Sequence, residues 1–271
     1  MNPKDSKKNI QPVFKPFVTG SITDENTWRN ALKFMGLMII TAFMSFLVCS
    51  MTGFQSSVLR IIVNAAIETV ILFLFFNRAA GYGEEAVARG EILFQHREKG
   101  IEITENEKRI PFHPMKGFVT GLIGTVIFLI PAIVLAVTAT RQMTGAGTLP
   151  SWMDSYTRRS EIGGALVAYT NPEGLGFMDY IRMFVRICLM PFISMCGAEN
   201  KDALLLIEKL GPVLMLLPAI SYGIGYLQGK KMRIRVHTEI AENAKKRRKR
   251  EIKARKARIA PRRPQGPTQL N

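Results

Sequence analysis

Along this chain apolar residues gather in long blocks instead of alternating with polar ones. Residues 34–54 hold no charged side chain, and neither do 117–140 and 210–229. A fourth block, 57–76 (SVLRIIVNAAIETVILFLFF), is as apolar but carries Arg60, Asn64 and Glu68. A helix rises about 1.5 Å per residue, so roughly 20 apolar residues cross about 30 Å of hydrocarbon. The pattern predicts an all-α integral membrane protein with four transmembrane helices, over 34–54, 57–76, 117–140 and 205–228. The first block follows a mainly polar stretch and lacks a small-residue cleavage pattern, so we expect it to be retained and not removed as a signal peptide.

A shorter apolar stretch, 177–198 (FMDYIRMFVRICLMPFISMCGA), decides the count. Its uncharged part, between Arg186 and Glu199, has 12 residues, about 18 Å of helix and too short to span. Asp179, Arg182 and Arg186 share one narrow arc of a helical wheel, with apolar residues around the rest. That suits a helix lying in the interface or re-entering partway, broken near Pro191. Charge bias agrees. With four crossings, the segment 1–33, the insert 77–116 and the tail 229–271 fall on one side with 29 Lys and Arg, against 7 in 141–204 and the last span's entry. Cytoplasmic flanks collect such residues. We therefore expect both termini in the cytoplasm, in the plasma membrane of a bacterial cell, with 141–204 external.

The formal charge of +16 is concentrated in that tail. From Lys230 onward, 16 basic residues stand against three glutamates. Lys245, Lys246, Arg247, Arg248, Lys249 and Arg250 form its densest cluster, on a charged helix over 238–259, with 260–271 expected to be disordered. Anionic lipid head groups are the expected partner beside the bilayer itself; a protein partner or the ribosome is the alternative. The tail has no aromatic residue for base stacking, so no sequence-specific nucleic acid is expected. The insert 77–116 balances seven acids with seven bases. It reads as a small cytoplasmic cap: a short helix over 83–98, then a hairpin in which IEIT and RIPF flank ENEK.

Catalytic and metal motifs do not appear. No Walker loop, G-x-S-x-G, H-E-x-x-H or dinucleotide fingerprint occurs. Cys49, Cys188 and Cys196 have no C-x-x-C spacing, and the three histidines are scattered, so no metal and no cofactor is expected.

The candidate chemistry lies in the second span. Arg60, Asn64 and Glu68 recur every fourth residue, on one helix face. A carboxyl near mid-span costs several kcal/mol unless it faces protein or water. The stripe should therefore face the bundle interior, as a polar intramembrane site or as a lock between helices. Arg60, or Arg182 and Arg186 with Asp179 at an external mouth, are its candidate partners. Gly117 and Gly121 form a G-x-x-x-G pair suited to close helix packing. GTVIFLIPAI (124–133) resembles GPVLMLLPAI (211–220), and opposed repeats with broken helices build the central sites of many transporters. The expected function is a transporter-type protein or transport-complex component; the alternative is a non-enzymatic membrane assembly or scaffold protein acting through its tail.

Overall fold

The computed structural model of the protein describes residues 13–51, 56–140, 154–157, 159, 176–197 and 200–259. Among these, every regular element is a helix: α1 Glu25–Met51, α2 Ser57–Glu98, α3 Glu105–Arg109, α4 Lys116–Thr138, α5 Asp154–Thr157, α6 Phe177–Cys188, α7 Met190–Cys196 and α8 Lys201–Ile259. Four of them, α1, α2, α4 and α8, are long and apolar enough to cross a membrane. Their outer faces carry Ile39, Phe43 and Leu47 of α1, Ile62, Val70 and Phe73 of α2, Ile127, Ile130 and Val137 of α4, and Val213, Ile220 and Ile224 of α8, all exposed. Such a continuous apolar girdle is stable only against hydrocarbon or another apolar surface.

Helix directions follow from facing residues. Gly117 lies against Tyr226, Gly121 against Ala219 and Gly211 near Ala132, so α4 and α8 are antiparallel. Ser221 Oγ donates to the Leu72 carbonyl at 2.7 Å, and Glu91 meets Arg233 and His237 further along, so α2 runs parallel to α8. Asp24 meets Lys116 and Met38 meets Thr125, so α1 runs parallel to α4. The end of α4 and the start of α8 therefore share one end of the bundle, which also holds α6 and α7: the wedge end. Residues 77–116 and 230–259 extend from the other: the stalk end.

α8 is the central element. It packs along α2 on one side and α4 on the other. Glycines allow the approach: the backbone of Gly225 abuts the Phe76 carbonyl, and that of Gly229 abuts Gly83, so neither position has room for a methyl group. α1 packs on α4 and barely touches α2. The space between α1 and α2 is filled at the wedge end by α7, which contacts both. α6 turns Arg182 and Val185 inward and leaves Phe177, Tyr180 and Met183 exposed. Its charged stripe thus faces protein, and its apolar stripe faces out. The helix breaks at Leu189 (φ −100°, ψ 19°), and Pro191 follows in the first turn of α7, where its missing N–H costs nothing.

Three local expectations are corrected. Residues 83–98 are not a separate short helix; α2 continues unbroken for 42 residues, about 63 Å. α8 likewise runs from the apolar zone into the charged helix without a break. The hairpin is absent, because Thr104 and Glu107 form a capping box that starts α3 where the hairpin turn was expected. The expected links at 52–55 and most of 141–175, and the final stretch 260–271, lie outside the described residues.

The stalk end is tied together by the segment before α1. The Val18 amide donates to the Gly90 carbonyl, Gly20 to Phe112 and Ser21 to Arg109. The Val13 amide reaches the Thr238 hydroxyl at 3.2 Å. The extended N-terminal strap thus crosses α2, α8 and the α3 loop.

Candidate functional site

Glu68 points into the space between α1 and α2. There it borders a cavity of about 30 Å³ together with Thr41 and Ser45 of α1, Phe192 of α7, and Leu214 and Pro218 of α8. That volume is room for a single water molecule. No hydrogen bond or ion pair joins the Glu68 carboxyl to another described side chain. Thr41 and Ser45 nevertheless bring two hydroxyl-bearing side chains to the lining of this space. Thr41 and Ser45 donate their hydroxyl protons to the α1 carbonyls of Leu37 and Ala42, leaving lone pairs to accept. Pro218 has no N–H, so the Leu214 carbonyl one turn back lacks its helical donor.

The sequence stripe divides at this point. Asn64, fully buried, accepts from Cys49 Sγ at 3.2 Å and donates to the Arg60 carbonyl at 2.8 Å, joining α1 to α2. Arg60 does not pair with Glu68. Its guanidinium donates to the carbonyls of Met195 and Cys196, at 3.4 Å each, placing a cation at the C-terminus of α7. Gly197 is essential to this contact. Its φ of 79° suits glycine, and a Cβ there would collide with the guanidinium.

Arg182 and Arg186 do not reach Glu68 either. Both converge on Glu208 of α8, a residue absent from the expected site. Arg186 donates to its Oε1 at 2.8 Å through Nε and lies 2.6 Å away through Nη2; Arg182 Nε is 3.2 Å away. Arg182 also donates to the Thr140 carbonyl at 3.0 Å, and Asp179 is 3.8 Å from it while accepting from the Gly176 amide. The three residues expected at an external mouth are therefore gathered in one ionic cluster that pins α6 to α8.

Gly117 and Gly121 lie in the α4–α8 seam described above. Lys245 to Arg250 occupy consecutive exposed positions on α8, presenting charge all around the helix. Nearer the bundle, Arg233 donates to Glu91 Oε2 at 2.9 Å and His237 Nε2 lies 2.8 Å from Glu91 Oε1. Glu91 stands four turns beyond the apolar part of α2. Burial pushes its carboxyl up, but the hydrogen bonds and charge of Arg233 and His237 outweigh this and hold it below the usual carboxylate range.

A second cavity, of about 280 Å³, opens at the stalk end between the start of α1 and residues 82–89 of α2. Between it and Glu68 stand Phe34, Phe75 and Tyr222, all buried, with ring centroids 5.0 and 5.1 Å apart. The two cavities are thus separated by an aromatic plug.

The α1 contribution was missed from sequence. Thr41, Ser45 and Cys49 recur every fourth residue, the same periodicity as Arg60, Asn64 and Glu68, and that spacing was a usable signal. Among the described residues no group of three or more His, Cys, Asp and Glu could hold a metal ion. Comparison with known proteins finds no matching family model, no matching curated protein and no matching solved structure.

Proposed function

We propose that this multi-pass protein is a transporter or a component of a transport complex, with Glu68 as a proton or small monovalent cation site within the bilayer. One observation carries this reading. Arg60, Arg182, Arg186 and Glu208 at the wedge end each have polar partners, whereas the Glu68 carboxyl, on the apolar part of α2, has none among the described residues and borders a water-sized space. A carboxyl kept there without a partner is costly, so a helix lock alone does not account for it. The oxygen atoms of Thr41, Ser45 and Leu214 provide acceptors for a proton shared with water or for a cation. The charge bias supports a plasma-membrane orientation with the stalk end and both termini in the cytoplasm.

The test is flux in liposomes. The full chain, reconstituted with a pH-sensitive dye inside, should dissipate an imposed proton or sodium gradient. Glu68→Gln should abolish the flux while leaving reconstitution unchanged, and Glu68→Asp should retain part of it. Equal flux from wild type and Glu68→Gln would refute the reading.

The exposed charge of Lys245 to Arg250 favours a second reading: a non-enzymatic assembly or scaffold protein whose tail docks anionic lipid, a partner protein or the ribosome. In that case Gln substitutions at those six positions should abolish function and Glu68→Gln should not.

A further inference from the structure

The stalk-end cavity has a composition that the Glu68 site does not explain. Four cations line it, Arg29, Lys33, Arg89 and Lys116, against two carboxylates, Asp24 and Glu85. Both carboxylates are already engaged. Asp24 accepts from Lys116 at 3.2 Å and from the Thr27 hydroxyl at 2.7 Å; Glu85 accepts from Arg89 at 2.6 Å. Lys116 is saturated as well, donating to the carbonyls of Arg109, Ile110 and Pro111 at 2.9 to 3.0 Å.

Arg29 and Lys33 remain. They sit one turn apart on α1, and neither has a carboxylate partner among the described residues. The Lys33 ammonium lies 5.6 Å from the centroid of the Tyr82 ring. Tyr82 and Tyr226 also line the cavity, with their hydroxyls enclosed behind its surface. The wall therefore offers two cations that no carboxylate among the described residues neutralises. At about 280 Å³ the space is close to the lower bound of roughly 300 Å³ for small-molecule pockets.

We propose that this cavity binds a phosphate group, supplied by the head group of an anionic phospholipid. The Arg29 guanidinium and Lys33 ammonium would contact the phosphate oxygens. The lipid source is favoured by what surrounds the opening. Trp28 and Leu32, next to Arg29 and Lys33, are exposed, and the uncharged run of α1 begins at Phe34. This places the cavity at head-group depth, with an amphipathic indole beside it. A soluble phosphate ester offers the same chemistry without the acyl chains.

Native mass spectrometry of the full chain in detergent, titrated with phosphatidylglycerol or phosphatidylcholine, separates these cases. We expect phosphatidylglycerol to be retained preferentially. The Arg29→Gln/Lys33→Gln variant should weaken the first lipid by about tenfold, the scale of one charge-assisted contact. Gln substitutions at Lys245 to Arg250 should leave this first lipid bound. Glycerol phosphate at millimolar concentration should not displace it; displacement would overturn the lipid source and assign the pocket to a soluble ester. Unchanged lipid retention in the Arg29→Gln/Lys33→Gln variant would overturn the site itself.

Discussion

Replacing Glu208 by alanine leaves two guanidinium groups facing an emptied position at the wedge end. The Arg182 side chain is only 6% exposed and that of Arg186 23%, while the Glu208 carboxylate is 3% exposed. Breaking a buried ion pair by removing one partner costs about 3–5 kcal/mol, because the remaining charge has lost its compensation. Arg182 keeps the Thr140 carbonyl and the distant Asp179, and Arg186 is reached by solvent. The loss should therefore sit at the lower end, about 3 kcal/mol. Reversible unfolding of the full chain in mixed micelles, titrated with a denaturing detergent, measures it. Converting all three residues to Met together should recover most of that loss, since the attraction and the desolvation it offsets disappear together. If Glu208→Ala costs less than about 1 kcal/mol, the cluster behaves like a screened surface pair. The packing of α6 and α7 against the bundle would then rest on apolar contacts alone.

The stalk and the seam give two further tests. Glu91 has its folded-state pKa below its ordinary value of 4.5, so the stability it adds is present above that value and is lost as pH falls through the lower one. Unfolding titrations below about pH 5 should show a decline that Glu91→Gln removes, and an unchanged slope in that variant would refute the assignment. Gly225→Ala places a methyl against the Phe76 carbonyl and should cost about 1–3 kcal/mol of stability by overpacking. Gly36→Ala, with nothing within 4 Å, should be neutral or slightly stabilising in the same unfolding assay.

The apolar spans were legible because they rest on a local property: an uncharged run of sufficient length reports a helix that needs no other partner than hydrocarbon. Their extensions were not. Residues 77–98 and 229–259 are as polar as loops, and they stay helical because α2 and α8 support one another through Gly83, Gly229 and the Glu91 contacts. The T-x-x-E spacing of Thr104 and Glu107 carries the start of α3, against the alternation of IEIT before it. Partnerships across the chain were the least legible. Arg182 and Arg186 were visible as a stripe, but no local signal connects them to Glu208, which lies at the polar entry of the last span. Arg60 likewise reads as the natural partner of Glu68, four residues from Asn64, until α7 presents its carbonyl end. With both sets of arginines engaged elsewhere, Glu68 is left without a polar partner among the described residues.

A hydrophobic carbodiimide reads that isolation at the Glu68 carboxyl itself. Such a reagent adds to a protonated carboxylic acid in apolar surroundings and leaves ionised or salt-bridged carboxylates unmodified. The full chain in liposomes near neutral pH, treated and then mapped by peptide mass spectrometry, should carry the adduct at Glu68 and not at Glu208, and Glu68→Gln should carry none. Modification of Glu208 with Glu68 untouched would contradict the account.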